Sequence, residues 1–225
     1  MKILAVSDEE CRALWDYYTP GKLADYDLIL SCGDLKAQYL EFLVTMSRCP
    51  VLYVHGNHDG NYDRNPPQGC VSIEDKLIVF NGVRILGLGG CRQYHPGPYQ
   101  YTEAQMRRRI RKLRRQIKKL GGVDIVLTHA APFGVGDWDD RSHRGFEAFL
   151  ELIDSYHPKY MLHGHVHLSY GYKIERVREY SGTHVINCCE KYELDYEYPN
   201  EFPPMTAFQR WCVKKFVKRL EIIST

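Results

Sequence analysis

Seven short apolar segments, most of them bounded by Gly, Pro or Asp, constrain the fold of this chain more than any other feature. They cover residues 3–6, 28–31, 51–54, 77–80, 84–88, 124–128 and 159–162. Runs of this length are typical of strands that are buried on both faces of a sheet. Helical patterns alternate with several of them, at residues 10–17, 37–47 and 144–154. The sequence therefore predicts an α/β fold with functional groups in the loops beyond the carboxyl ends of the strands.

Five polar motifs stand where predicted strands end. Their carboxylate, amide and imidazole groups suit Mn, Fe, Zn or Ni better than a soft thiolate site would. A glycine precedes Asp34, Asn57 and His165, and glycine lets the backbone turn sharply into a crowded site. The motifs are Asp8 with Glu10, Gly33-Asp34, Gly56-Asn57-His58-Asp59, Thr128-His129 and Gly164-His165-Val166-His167.

Taken in order, the motifs resemble the pattern of the calcineurin-like metallophosphoesterase superfamily, which reads D-x-H, G-D, G-N-H-[DE], H and G-H-x-H. The resemblance spans residues 8–167. It implies a β-sandwich flanked by α-helices and a site for two divalent metal ions. It also implies the ligand sets: Asp8 and His167 for one ion, Asn57, His129 and His165 for the other, and Asp34 as the bridge. The stretch at residues 87–109 resembles bacterial members near the class III cyclic-nucleotide phosphodiesterases.

Glu10 departs from that pattern, since it stands where D-x-H has its histidine. As a ligand, Glu10 would join Asp8 and Asp34 as a third carboxylate and make the centre less positive. Hard ions would then be favoured, with Mn expected first and Fe, Mg, Ni or Zn also compatible. Alternatively, Glu10 begins the helix predicted at residues 10–17, where an acid suits the dipole. Glu9 is expected to be solvated.

The predicted chemistry is hydrolysis of a phosphoester, above all of a phosphodiester. Two ions about 3.5–4 Å apart screen the phosphate charge and hold a hydroxide that attacks phosphorus in line. His58 is predicted to stabilise the phosphoryl group or to protonate the leaving oxygen. Asp59 either orients His58 or caps the next turn.

A Gly- and Pro-rich loop before the basic segment contains the predicted substrate-binding residues Arg92, Tyr94 and His95. They would meet a phosphate or stack on a base of a small phosphodiester or nucleotide substrate. The alternative is a structured surface loop.

Residues 107–119 carry nine Lys and Arg and no acid, which leaves 21 basic against 28 acidic residues elsewhere. Thr102 and Gln105 form a capping box, and Gly121 closes the segment, so an amphipathic helix is predicted. Its basic face suggests a nuclease or a nucleic-acid-binding protein as an alternative. A solvated helix is favoured, because the segment lacks aromatic residues for base stacking. A non-catalytic scaffold of the same fold is a third possibility, although a scaffold needs none of the predicted ligands.

One domain is predicted over residues 1–225, with an acidic Tyr- and Pro-rich arm at 190–204 and a C-terminal helix at 206–222. The eight cysteines show no C-x-x-C spacing and are expected to be reduced thiols in the cytoplasm. No apolar run approaches the roughly 18 residues of a membrane span. The sequence does not indicate an oligomeric state.

Overall fold

The protein is described from a computed structural model over residues 1–171 and 174–198. Three α-helices lie in these ranges: α1 Ala37–Met46, α2 Glu103–Leu120 and α3 Glu147–Tyr156. The strands there are β1 Lys2–Ser7, β2 Leu28–Ser31, β3 Val51–Tyr53, β4 Val71–Ser72, β5 Lys76–Phe80, β6 Val83–Leu88, β7 Cys91–Arg92, β8 Gln100–Tyr101, β9 Ile125–Thr128, β10 Tyr160–His163, β11 Val177–Tyr180, β12 Thr183–Asn187 and β13 Glu190–Asp195.

Two sheets form the body of the fold. One has the strand order β13-β1-β2-β3-β4 and the other β11-β12-β10-β9-β6-β5, while β7 and β8 pair separately. The central strands of each large sheet run parallel, and β13, β5 and β11 pair antiparallel to their neighbours. The carboxyl ends of the central strands therefore meet at one edge of each sheet, which is where the polar motifs emerge.

The two sheets pack face to face with helices outside them. In β1, Ile3 and Ala5 belong to the core between the sheets, whereas Leu4 and Val6 belong to the outer core that includes α1. This alternation is the two-residue period of a strand that is buried on both faces. On the outside of the second sheet, α2 and α3 pack on strands β5, β6, β9 and β10. The structure confirms the predicted α/β class with a β-sandwich flanked by α-helices.

All seven predicted strands are present within a residue or two of their predicted limits. The helix predicted at 10–17 is wrong, because residues 12–17 form turns. Pro20 disfavours helix at the residue before it, and so short a segment does not propagate by itself. The third predicted helix starts late, at Glu147, because the Phe146 N–H donates to the Ala131 carbonyl from an extended backbone.

The last described strands, β11, β12 and β13, were not predicted. Strand β13 occupies the start of the acidic arm and pairs with β1 over its whole length, from Lys2 with Asp195 to Ser7 with Glu190. The rest of the arm beyond residue 198 and the predicted helix at 206–222 lie outside the described residues.

Helix α2 is confirmed with its predicted ends. The Thr102 side chain accepts a hydrogen bond from the Gln105 N–H, and the Gln105 side chain accepts one from the Thr102 N–H. Gly121 ends the helix in the left-handed conformation. The apolar face of this amphipathic helix packs in the core, with Met106 and Leu113 buried.

Seven cysteines in the described ranges are free thiols, and all but Cys70 are buried. Among the described helices, none combines the length and the apolar character that crossing a membrane requires.

Candidate metal centre

Backbone hydrogen bonds tie the motif-bearing loops together. The Asp8 N–H donates to the Gly33 carbonyl at 3.1 Å, and the Gly164 N–H donates to the His129 carbonyl at 2.9 Å. Each of these bonds joins the loop after one strand to the loop after a neighbouring strand. Motifs that are far apart in sequence are therefore held at one edge of the sandwich.

The middle of this edge is a compact set of donors from Asp34, His129 and His165. One ligand atom from each lies within 4.8 Å of the other two. His129 Nε2 is 3.3 Å from Asp34 Oδ2 and 3.1 Å from the amide oxygen of Asn57. The other ring nitrogen of His129 lies 2.9 Å from the Cys32 carbonyl oxygen, which fixes the ring plane.

The electrostatics of this cluster favour bound positive charge. Burial would raise the pKa of Asp34, but the charge of His129 and hydrogen bonds to the carboxylate lower it to about 2. Burial would lower the pKa of His129, yet Asp34, Asp8 and Asp59 raise it to about 9. His165 goes the other way, since burial and the His129 charge lower its pKa to about 3. A cation that binds Asp34, His129 and His165 would replace the proton on His129.

Three predicted ligands hold the left-handed backbone conformation that side chains other than glycine rarely adopt. Asp8 has φ 63°, Asp34 has φ 56° and His165 has φ 68°. Strained backbone of this kind is retained where the surrounding structure enforces it, and it clusters at functional sites.

Glycines at this edge make room for the carboxylates. A Cβ atom on Gly56 would lie 1.9 Å from Asp34 Oδ1, and one on Gly164 would lie 1.9 Å from Ser7 Oγ and 2.4 Å from Asp8 Oδ2. The glycines in both motifs are therefore required by the close approach of neighbouring polar side chains.

His58 and Asp59 lie beside Asp34 and have different surroundings. The His58 N–H donates to Asp34 Oδ1 at 2.8 Å, while its side chain is 76% exposed with Nε2 4.0 Å from Asp34 Oδ2. Asp59 is buried and accepts from the N–H groups of Gly56 and Asp34. Burial and the charge of Asp34 raise the pKa of Asp59 to about 6. The geometry thus links Asp59 to the Asp34 backbone, and a role in orienting His58 stays a prediction.

His165 is held from two sides. Its N–H donates to both carboxylate oxygens of Asp8 at 3.0 Å, and its Nε2 lies 2.9 Å from the Ser142 carbonyl oxygen. The His143 ring stands 4.8 Å from the His165 ring and 4.9 Å from that of Tyr170. Ser142, His143 and Tyr170 were not identified from the sequence, because they belong to no spacing pattern.

The two glutamates after Asp8 point to different partners. Glu10 Oε1 lies 3.3 Å from Lys36 Nζ. Glu9 is 51% exposed, as expected for a solvated side chain, and its Oε1 lies 2.8 Å from His167 Nδ1. Cys189 contributes a third donor to the pair of Glu9 and His167.

The loop that contains the predicted substrate residues reaches the centre through Tyr94. The Tyr94 hydroxyl lies 3.4 Å from the Asn57 Nδ2, on the opposite side of the amide from His129. Arg92 lies at the end of β7, and its Nη1 is buried without a hydrogen-bond partner among the described residues. His95 instead contacts its own loop, with Nδ1 2.8 Å from the Pro96 carbonyl oxygen.

An open cavity of about 510 Å³ borders Asp8 and Asp34. Its volume is within the roughly 300–1,000 Å³ of small-molecule sites. Glu10, Lys36 and His58 also line it, so the cavity wall contains both cationic and anionic groups.

The donor set fits divalent cations. Carboxylate, amide oxygen and imidazole converge with donor atoms a few ångströms apart, and backbone hydrogen bonds or carbonyl groups orient them.

A model of the calcineurin-like phosphoesterase superfamily domain matches residues 1–190. The chain therefore belongs to the calcineurin-like phosphoesterase superfamily, as its motifs predict.

Two curated relatives come from Caenorhabditis elegans. The UPF0046 protein K07C11.7 is 24% identical over 203 residues, which cover 76% of this chain and 65% of that protein. The UPF0046 protein T07D4.2 is 36% identical over 162 residues, which cover 68% of this chain and 38% of that protein. The chain thus spans part of the length of each.

Solved structures share the fold at low identity. TT1561 of Thermus thermophilus aligns with a TM-score of 0.54 and 16% identity over 84% of this chain and 89% of its own. A putative 5'-nucleotidase from Staphylococcus aureus aligns with a TM-score of 0.50 and 12% identity over 96% of this chain and 58% of its own.

Proposed function

We propose that this protein is a metal-dependent phosphoester hydrolase that acts on phosphodiesters. The observation that carries the proposal is the convergence of Asp34, His129 and His165 beside a cavity into which His58 is exposed. Carboxylate and imidazole donors hold divalent cations. An exposed imidazole at the cavity wall can reach a substrate.

The proposed centre holds two divalent ions, with Asp34 between the two ligand sets. When bound, the ions would neutralise phosphate charge and provide an activated water for attack on phosphorus. The Asp8 N–H bond to the Gly33 carbonyl and the His165 N–H bonds to Asp8 keep the carboxylates in place. The proposed ligands are Asp8, Asp34, Asn57, His129, His165 and His167. Glu10, the further ligand expected from the sequence, is instead paired with Lys36.

His58 is the proposed acid at the leaving oxygen. Its backbone is fixed by the N–H bond to Asp34, while its ring is free to meet the substrate. A proton held at its Nε2 would pass to the departing alkoxide, since general-acid transfer needs a donor within hydrogen-bond reach. Asp59 acts through Asp34 as a positioning residue.

Tyr94 and Arg92 mark the proposed substrate side. Tyr94 orients the Asn57 amide so that its oxygen faces His129. The buried, unpartnered Nη1 of Arg92 would be stabilised by an anionic oxygen, and a phosphodiester carries one. Lys36 offers a cation at the cavity itself. These contacts support a small phosphodiester or nucleotide substrate.

The basic helix is proposed as a packed surface helix within a single domain. Arg107 pairs with Glu147 and Glu151 of α3, and Arg109 is buried against Glu74. At least these two cations of the segment are thus engaged in ion pairs with carboxylates of the same chain.

The test is hydrolysis of bis-p-nitrophenyl phosphate by metal-stripped protein after addition of Mn, Mg, Ni, Zn or no metal. Asp34→Asn keeps the side-chain shape and removes the charge, so it is the matched inactive variant. Activity restored by one or two ions and absent in Asp34→Asn is expected. p-Nitrophenyl phosphate in parallel distinguishes a diesterase from a monoesterase.

Absence of hydrolysis with every ion, for both substrates, would overturn the proposal and bring the scaffold alternative forward. Activity on DNA or RNA that falls steeply with salt would support the nuclease alternative instead.

A further inference from the structure

Three side chains of different type converge at the Asp8 end of the centre. Ligand atoms of Glu9, His167 and Cys189 all lie within 4.8 Å of one another, and Glu9 Oε1 lies 2.8 Å from His167 Nδ1. Their surroundings are graded: Glu9 is 51% exposed, His167 is 32% exposed and Cys189 is 1% exposed. A buried sulfur, a half-buried imidazole and a solvent-accessible carboxylate therefore converge within 4.8 Å of one another.

Strand pairing brings the cysteine to this point. Cys189 forms a parallel bridge with Ser7 at the end of β1, just before β13 begins to pair with the same strand. Glu9 and Cys189 are far apart in sequence and lie close in space because β13 is the neighbour of β1 at the edge of the sheet. Strand pairing therefore fixes the position of Cys189 beside the loop that follows β1.

Asn187 connects the cysteine to the histidine motif. Its Nδ2 donates to the Val166 carbonyl at 2.8 Å, and its Oδ1 accepts from the Cys189 N–H at 2.9 Å. Asn187 is buried, so both bonds are shielded from water. Arg176 fixes the backbone on the carbonyl side of Cys189, because its Nη2 donates to the Cys189 carbonyl at 3.0 Å. Support of this kind is what orients ligands in metal sites.

Glu9, and not Glu10, is the glutamate that faces the predicted ligand His167. Glu10 occupies the position of the motif histidine, yet its carboxylate is paired with Lys36. Glu9 is the glutamate that contacts His167, the ligand expected at the same ion as Asp8. The left-handed backbone of Asp8 disrupts the alternation that would otherwise put residues 8 and 10 on one side.

We propose that Glu9, His167 and Cys189 together bind a thiophilic divalent cation at the Asp8 end of the centre. This deepens the proposed function, on which it rests for the role of His167. Thiolate and imidazole favour Zn or Fe over Mn or Mg. The two ends of the centre would then prefer different ions, and the sequence-based expectation of Mn applies to the end formed by Asn57 and His129.

Binding of the cation changes no oxidation state, so it needs no oxidant or reductant. The S–H bond of Cys189 breaks, its proton leaves to solvent, and the sulfur donates a lone pair to the cation. His167 donates through a ring-nitrogen lone pair and Glu9 through a carboxylate oxygen. The net product is a bound cation and one released proton for each thiol.

Cobalt(II) reports this site directly, because thiolate ligation produces a sulfur-to-cobalt charge-transfer band in the near ultraviolet. The metal-stripped full chain is titrated anaerobically with cobalt(II) against a competing chelator, and the band is followed. The band is expected in the wild type and in Cys188→Ala, and it is expected to vanish in Cys189→Ala. Cys188 is the matched control, since it is the adjacent buried cysteine.

Glu9→Gln and Glu10→Gln test the carboxylate and serve if Cys189→Ala fails to fold. Loss of a ligand should weaken cobalt binding at the site that gives the band by more than the roughly 10–100-fold that loss of a supporting residue costs. That loss is expected for Glu9→Gln, while Glu10→Gln should bind as the wild type does. No band in the wild type, a band that persists in Cys189→Ala, or a loss confined to Glu10→Gln would each overturn the proposal.

The charge-transfer band tests the thiolate site, and the hydrolysis assay tests the proposed function, so either proposal can fail without the other. Hydrolysis with no charge-transfer band would leave the proposed function intact and reject the thiolate site. A band without hydrolysis of any phosphoester by any loaded form would retain the cation site and reject the enzyme.

Discussion

The carboxylate of Asp59 accepts a hydrogen bond from the backbone N–H of Asp34 at 2.8 Å. The same Oδ2 accepts from the Gly56 N–H at 2.7 Å. One buried oxygen therefore fixes the two loops that present Asp34 and Asn57. Because Asp34 is in the left-handed conformation, this bond helps to hold a strained ligand in place.

Asp59→Ala is expected to lower both stability and metal affinity. Two buried N–H groups lose their partner, at a cost of about 1–3 kcal/mol each. Urea unfolding and a metal titration measure the two effects. Asp59 and Asp63 are the first and last residues of the short 3₁₀ helix Asp59–Asp63. Asp63→Ala is therefore the control, since the Asp63 carboxylate accepts an exposed hydrogen bond, from the Tyr99 hydroxyl. Equal effects of the two variants would contradict a specific role for Asp59.

Gly56→Ala is expected to abolish metal binding at Asp34. The new Cβ would lie 1.9 Å from Asp34 Oδ1 and 2.7 Å from the Asp34 backbone nitrogen, so the loop that carries this carboxylate has to move. Gly171→Ala is the matched control, because its Cβ would lie 3.0 Å from the exposed ring of Trp138 and 3.7 Å from the Ile174 side chain, away from the centre. Isothermal titration with Mn or Zn gives the comparison. Unchanged affinity in Gly56→Ala would show that Asp34 is not a ligand.

His58→Ala is expected to reduce kcat by roughly 10²–10⁴-fold and to leave metal affinity unchanged. The ring is exposed in the cavity, and its only described tie to the cluster is the 4.0 Å approach to Asp34. Substrates with better leaving groups should be affected less, since they need less protonation. Metal loss in the variant would instead make His58 a ligand or a support for one.

Much of the candidate centre could be predicted because the residues proposed as ligands follow strands. Asp34, Asn57, His129 and His165 come directly after short apolar runs, and parallel strands bring their ends together. Glu9 could not be separated from Glu10 in this way. Their orientation depends on the left-handed turn at Asp8, and three-residue motifs do not encode that turn.

Cys189 and Ser142 could not be predicted for a different reason. The position of Cys189 depends on β13 pairing with β1, which is a long-range choice among possible edge neighbours. Ser142 contributes a backbone carbonyl, so its side chain gives no signal. The helix expected at residues 10–17 fails for a local reason, since a short amphipathic pattern before Pro20 is satisfied equally well by turns that bury Cys11 and Leu14.

Arg109 and Arg107 lie two positions apart on α2 and are expected to differ in their contribution to stability. Arg109 is buried and pairs with Glu74, whereas Arg107 is at the surface. Breaking a buried pair costs about 3–5 kcal/mol, so Arg109→Met should be strongly destabilising. Exposed pairs contribute about 0–1 kcal/mol, so Arg107→Met should change little. Urea denaturation at neutral pH compares them, and similar losses would refute the assignment.

Glu74 is expected to make the stability depend on acid pH. Burial alone would raise its pKa, but hydrogen bonds from His55 and the charge of Arg109 outweigh burial and hold the pKa below its usual range. The folded state therefore binds a proton at Glu74 less readily than the unfolded state does. The stabilisation is fully present above the range in which an ordinary glutamate titrates, and it is lost as the pH falls through that range towards the folded pKa.

Glu74→Gln should consequently unfold at lower urea than the wild type at neutral pH, and the difference should shrink as the pH is lowered. Its carboxylate also accepts from the N–H groups of His55 and Gly89, and the amide of glutamine replaces those bonds only in part. Glu151→Gln is the control, because that glutamate pairs with Arg107 at the surface and should show a small difference at every pH. A difference for Glu74→Gln that stays constant from neutral to acid pH would mean that the carboxylate contributes through packing and not through its charge.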